Sequence, residues 1–588
     1  VAQKIYVELN NTVPCVRLLN ATHQIGCQSS ISGDTGVIHV LESEADLEWP
    51  LSKGPNPPYM VLLESSLFTK SIMMKMKNAS SRVAGVVVVP KTSPPEFSPH
   101  TTCPNENTGV YTETYDHNLA HCNTTVWNPR GNGLSYEEFD FPVFSLKEDN
   151  ETEVIKQCYF DHNRVVNGSG LQYPLCAMQL FSHMHAVTDT ATCMRRSNIS
   201  LSLSLSLSLS LTVMVCDPLG GYNVCAFIRP YNSTAFGHKE NESVVIAAAR
   251  LDSKAFFLED STGAEGSVSG FVTLLAAAQA LCEATQEAPR TRNILFAFFH
   301  GEVFDYIGSS RMVYDMKNNM FVIDLDNVHS ILEIGQVAVR SGTNLFLHSD
   351  PVSRRNNTVH DEVTNLVKNL QSSTAGLNFS FVETDFSQPL PPSSFQRFLR
   401  ARAIPGIVLA DHQTDFNNRY YESFYDNAAH LNLTYPSNLS PEEQLEFVTD
   451  TAKVLVILLL LTSQCKKPDE LPNESTYLYS YLWVQGMVPP NSTQRESFCV
   501  RTAVRLVKAV SPAFDLGDYV SKEYSTWTKS QWKFIKARIF LVASRDLEML
   551  TLGVGVAVLF TSLLVTYFVS TKADVLFSSV REPNNAAY

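Results

Sequence analysis

Two strand ends in this chain carry side chains able to do chemistry. In Asn293-Ile-Leu-Phe-Ala-Phe-Phe-His-Gly-Glu-Val-Phe-Asp-Tyr-Ile-Gly-Ser-Ser-Arg311 an apolar run stops at Gly301-Glu302, and a helical pattern follows. In Val244-Val-Ile-Ala-Ala-Ala249 the run stops at Arg250-Leu-Asp252. A carboxylate so placed can ligate a metal, act as a general base or receive a protonated amine. Beside Glu302, however, stands Val303, which has no lone pair for a metal, and Arg250 is itself a cation. The Asp305-Tyr306 turn adds a carboxylate and a phenol suited to a free amino terminus. His183-Met-His185 comes without a third ligand, and such an isolated pair reads as structural.

The elements around these residues alternate. Phe271 to Cys282 and Phe304 to Met316 read as helices, while Ile331-Leu-Glu-Ile334 and Gly406-Ile-Val-Leu-Ala410 read as further strands. The pattern predicts an α/β fold with a mostly parallel sheet and right-handed crossovers. Ligand sites in such sheets lie beyond the strands' carboxyl ends, where Arg250, Asp252 and Glu302 fall. The expected large lobe is 240–453. Residues 1–215, rich in Cys, Pro and turn signals, predict a smaller, disulfide-pinned lobe with strands such as Tyr59-Met-Val-Leu-Leu63 and Val83-Ala-Gly-Val-Val-Val-Val89. Within it, Trp127-Asn-Pro-Arg-Gly-Asn-Gly-Leu-Ser-Tyr136 brackets glycines with aromatics, a candidate lid over a cleft. Leu201 to Leu211 is strict Leu-Ser alternation and reads as low complexity. Val454 to Leu461 is apolar but too short to cross a bilayer. Residues 465–548 read as a C-terminal ectodomain segment, polar from Cys465 to Cys499, after which helical patterns lead through Trp527, Trp532 and Arg538.

A net charge of −14 argues against nucleic acid as a partner, since phosphate binding needs basic patches. Met549 to Val569 is an apolar run of bilayer-spanning length, leaving a tail at 570–588. Sequons at Asn10, Asn20, Asn78, Asn123, Asn150, Asn167, Asn198, Asn232, Asn241, Asn356, Asn378, Asn432, Asn438, Asn473 and Asn491 all precede that run. Their density predicts a glycosylated lumenal domain in contact with membrane lipid through one span: a single-pass type I protein of the secretory pathway and plasma membrane. A start at Val1 fits a cleaved secretory signal. Cysteines fall in neighbouring pairs, Cys15/Cys27, Cys103/Cys122, Cys158/Cys176, Cys193/Cys216 and Cys465/Cys499, which read as short-loop disulfides although spacing alone does not fix connectivity. Cys225 and Cys282 are left over, the latter on an apolar helical pattern that suits a buried thiol.

The sheet region resembles the co-catalytic zinc aminopeptidases, and much of the chain resembles the nicastrin family, glycosylated subunits of gamma-secretase. The second resemblance rests on Cys15-Val-Arg-Leu-Leu-Asn-Ala-Thr-His-Gln-Ile-Gly-Cys27, Gly131-Asn-Gly133, Asp305-Tyr-Ile-Gly-Ser309, Pro391-Pro-Ser-Ser394, Tyr524-Ser-Thr-Trp527 and Lys572-Ala-Asp-Val-Leu-Phe577, which span the chain. Set against the peptidases, the first His-x-Asp becomes Arg250-Leu-Asp252, and the bridging Asp aligns with Glu265. The Glu-Glu pair becomes Glu302-Val303, a further acid aligns loosely with Glu333, and the last His aligns with Glu422. No histidine ligand remains, so the resemblance implies a pseudo-aminopeptidase without metal or cofactor, in which Arg250 pairs with Glu265 or Glu302.

Membership would imply a non-catalytic subunit beside a presenilin-type polytopic aspartyl protease and other gamma-secretase subunits. Its substrates would be type I membrane proteins with short ectodomains, such as Notch and amyloid precursor protein. The resemblance further implies a hydrophobic lid contact of Trp127 with Phe256 or Phe257, and it makes Glu302, Asp305, Tyr306, Arg250, Asp252 and Glu265 the recognition candidates. Between Lys453 and Cys465 the family carries a further block that this chain lacks, and the Leu-Ser repeat is foreign to it. The rival readings are an active membrane aminopeptidase or carboxypeptidase and a cell-surface receptor on the same scaffold.

Overall fold

Alternation along the apolar runs decides which way each strand faces. In Val244–Arg250 the side chains of Val244, Ile246 and Ala248 enter one apolar cluster, and those of Ala247 and Ala249 enter another. Asn293–Phe299 splits in the same way, with Leu295, Ala297 and Phe299 on one side and Ile294, Phe296 and Phe298 on the other. A strand apolar on both faces must be covered on both. Helices Ser269–Ala284 and Asn357–Ser373 cover one face, and Ile307–Lys317 with Phe395–Leu399 cover the other. Each large side chain so buried contributes about 1.5–3 kcal/mol.

The coordinates come from a computed structural model. It describes residues 6–572 apart from 91–95, 105–107, 165–172, 186–187, 197–214, 229–242, 285–291, 340–341, 375–378, 386, 433–479, 488–494 and 503. The large sheet has eight strands, and at its centre Gly406–Ala410, Val328–Ile334, Val244–Arg250 and Asn293–Phe299 run parallel in that order. Because Val244–Arg250 has a later strand on each side, the strand order reverses there, and the crevice beyond the strand ends opens at that point. The expected α/β fold with a mostly parallel sheet is the one observed.

A second eight-stranded sheet carries the smaller lobe, with Asp34–Leu41, Tyr59–Glu64, Val83–Val89 and Val143–Leu146 parallel at its centre. Among the described residues four of the five expected disulfides are formed, Cys15–Cys27, Cys103–Cys122, Cys158–Cys176 and Cys193–Cys216. The fifth, Cys465 with Cys499, is not among them. Cys499 falls on strand Arg495–Thr502, which pairs with Ser480–Met487, but its side chain lies outside the described residues, as does the whole of Cys465. Cys225 is a buried free thiol. The Leu-Ser repeat, the apolar run after Lys453 and the side chain of Cys282 also lie outside the described residues.

The C-terminal segment departs from the helical pattern expected of it. Thr528–Ser530 and Trp532–Val542 are strands, and the second lies inside the small-lobe sheet between Val7–Leu9 and Leu175–Met184. Arg505–Val510 meanwhile extends the large sheet at its edge. Ala537 and Ile539 are buried while Lys536, Arg538 and Phe540 between and beside them are half-buried, a two-residue period that only the flanking strands make decisive. After it comes helix Arg545–Thr571, apolar for most of its length and exposed along it. It is long and apolar enough to cross a membrane.

Candidate functional site: a cavity beyond the parallel strand ends

A cavity of about 650 Å³ opens beyond the carboxyl ends of the central strands. Arg250, Glu302, Asp305, Tyr306, Glu333 and Glu422 line it, whereas Asp252 and Glu265 stand behind its wall. The rest of its lining comes from elsewhere: half-buried to exposed Asn20 to His23 of the small lobe, the segment around the buried His100 and Thr108, and residues between Tyr524 and Trp527 of the C-terminal segment.

Arg250 donates to Glu422 Oε1 at 2.9 Å and to the Gly266 carbonyl at 2.7 Å. Its ionic partner is therefore Glu422, and the pairing with Glu265 or Glu302 expected from sequence is not the one formed. Glu422 sits at φ +54°, a left-handed backbone that turns its side chain inward, and its second oxygen accepts from the Lys254 amide. Burial disfavours the Arg250 charge, but Glu422, Tyr421 and Asp252 outweigh it and raise its pKa. The guanidinium thus brings its own positive charge into the cavity wall, balanced by Glu422.

Asp252 receives the amides of Glu302 and Val303, each at 3.0 Å, so it orders the strand-end turn rather than facing the cavity. Glu302 is 5% exposed and fully engaged: Oε1 accepts from the Ser309 amide at 2.8 Å, and Oε2 accepts from the hydroxyls of Ser309 and Ser394 at 2.7 Å each. Burial and the nearby Asp252 push its pKa up to about 7. Glu333 receives the amides of Ser394 and Phe395 at 2.9 and 2.8 Å, the start of helix Phe395–Leu399, and burial raises it to about 7 as well. Glu265 accepts from the Ala338 amide at 2.9 Å, and burial together with Asp411 keeps it protonated well above its ordinary range. Asp252, Glu302, Glu333 and Glu265 thus each accept hydrogen bonds from protein donors. The residues present do not fit a pair of zinc ions, and among the described residues no three His, Cys, Asp or Glu side chains are grouped to hold a metal.

Asp305 and Tyr306 both adopt left-handed backbone, at φ +65° and +57°. Two such residues in succession turn the chain sharply into helix Ile307–Lys317, and Trp527 Nε1 fixes the turn by donating to Asp305 Oδ2 at 2.8 Å. At Gly308 a β-carbon would stand 2.3 Å from Asn223 Oδ1 and 2.5 Å from the His300 carbonyl, so only glycine lets the helix start this close to the strands. Behind the wall lies Lys254, 3% exposed, with its ammonium 4.1 Å from the Tyr136 ring centre, 5.2 Å from Phe304 and 5.9 Å from Trp527. Burial lowers its pKa to about 8.

The lid contact differs from expectation. Trp127 is fully buried against Phe416 and Tyr421, with His348 and His412 at its edges. Phe256 and Phe257 belong to a different cluster with Phe68, Phe97 and Phe424. Sequence reading also passed over Ser309, Ser394 and Lys254. The two serines lie inside stretches that carried the family resemblance, and their role emerges only when Glu302 is seen between them.

A family model for the nicastrin large lobe matches residues 243–459, and one for the nicastrin small lobe matches residues 14–186. The chain is 48% identical to human nicastrin, over all of this chain and 95% of that protein. That alignment runs over 680 residues, longer than the chain's 588, so it contains gaps in this chain. Nicastrin of Dictyostelium purpureum is 23% identical over 98% of this chain and 96% of its own length. A crystal structure of the gamma-secretase component nicastrin shares the fold, with a TM-score of 0.66 at 20% identity over 91% of this chain and 100% of that one. On these matches to both lobes and across its whole length, the chain belongs to the nicastrin family.

Proposed function

We propose that this protein is a non-catalytic subunit of gamma-secretase. It stands as a type I membrane glycoprotein whose large glycosylated ectodomain limits which type I substrates reach a polytopic aspartyl protease in the membrane. The observation that carries this reading is the saturation of the strand-end carboxylates. Arg250 is neutralised by Glu422, and both oxygens of Glu302 are held by Ser309 and Ser394. A buried carboxyl already accepting three hydrogen bonds has little acceptor capacity left for an incoming amine, so exclusion by bulk is favoured over capture of a free amino terminus. The fifteen sequons before the helix Arg545–Thr571 support a lumenal ectodomain, and the match to a gamma-secretase component supports the assembly.

The test purifies the full chain from membranes and follows cleavage of one substrate carrying either a short or a long ectodomain. A polytopic aspartyl protease should co-purify. Glu302→Gln should leave short-ectodomain cleavage nearly intact, whereas Arg250→Ala, which loosens the lobe, should admit the long substrate. Loss of short-substrate cleavage in Glu302→Gln, in a folded and assembled protein, would refute exclusion by bulk in favour of chemical recognition. Absence of the protease from the purified material would refute the assembly.

A further inference from the structure

Seven sequon asparagines lie among the described residues, and of these Asn20 alone lines the strand-end cavity. It stands at the tip of the hairpin formed by Leu18–Leu19 and Gln24–Cys27. The Cys15–Cys27 disulfide closes the base of that hairpin, and Thr528–Ser530 pairs along its flank. At the tip, Asn20 Oδ1 accepts from the amides of Thr22 and His23, each at 2.9 Å, and from the Thr22 hydroxyl at 3.2 Å. The Ala21 amide donates to Thr526 Oγ1 at 3.0 Å, and the Thr190 amide donates to the Asn20 carbonyl at 2.8 Å. The side-chain oxygen is thus committed to the turn, and Nδ2 is the atom left to carry a substituent. A group attached there begins from a half-buried residue that is fixed in its turn and lines the cavity.

We propose that Asn20 carries an N-linked glycan whose core stands at the cavity mouth and restricts what enters. Attachment forms a bond from Nδ2 to the anomeric carbon of a lipid-linked oligosaccharide as that carbon's bond to the pyrophosphate breaks, and the amide gives up one proton. Sugars on exposed sequons such as Asn10 and Asn356 would stand on the outer surface, where bulk serves solubility. At Asn20 the same chemistry makes a gate. The proposal rests on the lumenal placement of the ectodomain.

Glycopeptide mass spectrometry of the full chain separates the two ideas. Sugar on other sequons with a bare Asn20 overturns the gate alone, while bare sequons throughout overturn the lumenal placement. To read gating, Val303→Cys places a thiol on the cavity wall, where Val303 is half-buried. Labelling of the peptide containing residue 303 is then followed with N-ethylmaleimide and with a polyethylene-glycol maleimide. Thr22→Ala deletes the sequon, and Thr22→Ser keeps both sequon and hydroxyl. Thr22→Ala should raise labelling by the bulky reagent severalfold over Thr22→Ser while labelling by the small one stays level. Should Thr22→Ala fail to fold, endoglycosidase trimming of the otherwise unaltered chain must give the same rise. Equal bulky labelling with and without the sugar overturns the gate.

Discussion

Arg250 and Glu422 form a buried ion pair at the carboxyl ends of the parallel strands. A cation and an anion, with side chains 17% and 1% exposed, meet where two strand-end segments converge, and each neutralises the other out of water. Removing one partner leaves a buried charge unpaired, which costs about 3–5 kcal/mol, whereas replacing both with apolar groups of like size is often neutral. Arg250→Ala should therefore lower the thermal midpoint sharply, and Arg250→Met/Glu422→Leu should recover most of the loss. A double variant as unstable as the single one would assign the effect to lost packing instead. The peptidase resemblance aligned Arg250 and Glu422 with ligand positions, but did not show that they face each other, because 171 intervening residues set that geometry. Protonation is tested separately. Glu302 and Glu333 are raised from an ordinary 4.5 to about 7, so the folded state holds protons that the unfolded state releases between those values. Stability from these groups is then present at the acid end of that window and declines as pH rises through it. Thermal midpoints measured at the two ends should differ less in Glu302→Gln/Glu333→Gln than in the parent, and an undiminished difference would place the titration elsewhere.

Between residues and lobes lies the segment from Ser98 to Tyr136, a small-lobe excursion strapped across the large lobe. Asp350 is its anchor, receiving the Tyr111 hydroxyl at 2.9 Å, the Tyr115 hydroxyl at 2.7 Å and the Ser353 amide at 2.7 Å, all at a site 1% exposed. Burial and the Asp350 charge push both phenols' pKa upward, so they remain donors. Arg397 adds a bond to the Thr108 carbonyl, and Arg355 pairs with Asp116. Asp350→Ala strands these donors at about 1–3 kcal/mol for each buried group left unsatisfied. Limited proteolysis should then cut preferentially within 108–120 while the large sheet resists. Uniform susceptibility across the chain would mean that the anchor serves global stability and not the strap. Composition singled out Trp127 to Tyr136 as a lid, yet the strongest attachments precede it, at tyrosines that no local pattern marks.

At the scale of the whole molecule, the chain's end returns to both of its lobes. Apolar runs made the parallel strands legible, since a strand buried on both faces announces itself locally. Trp532–Val542 did not, because its pairing partners Val7–Leu9 and Leu175–Met184 lie hundreds of residues earlier and its mixed polarity suits a helix as well as a strand. Its eleven residues sit between those two strands, so the small-lobe sheet is incomplete until the last strand before the membrane helix has been made. Pairing over such separations carries a large loop-closure cost and forms late. It also joins the lobe to the apolar helix with only Ala543 and Ser544 between Val542 and the helix start. A chain ended after residue 543 should therefore fold, with Cys158–Cys176 formed and the small lobe protected in hydrogen exchange. One ended after residue 527 should lose protection across Leu175–Met184 and Val7–Leu9 together, although neither strand is near the cut in sequence. Retained protection in the shorter chain would show that the sheet closes without its C-terminal strand, and would leave that strand as a tether for the span alone.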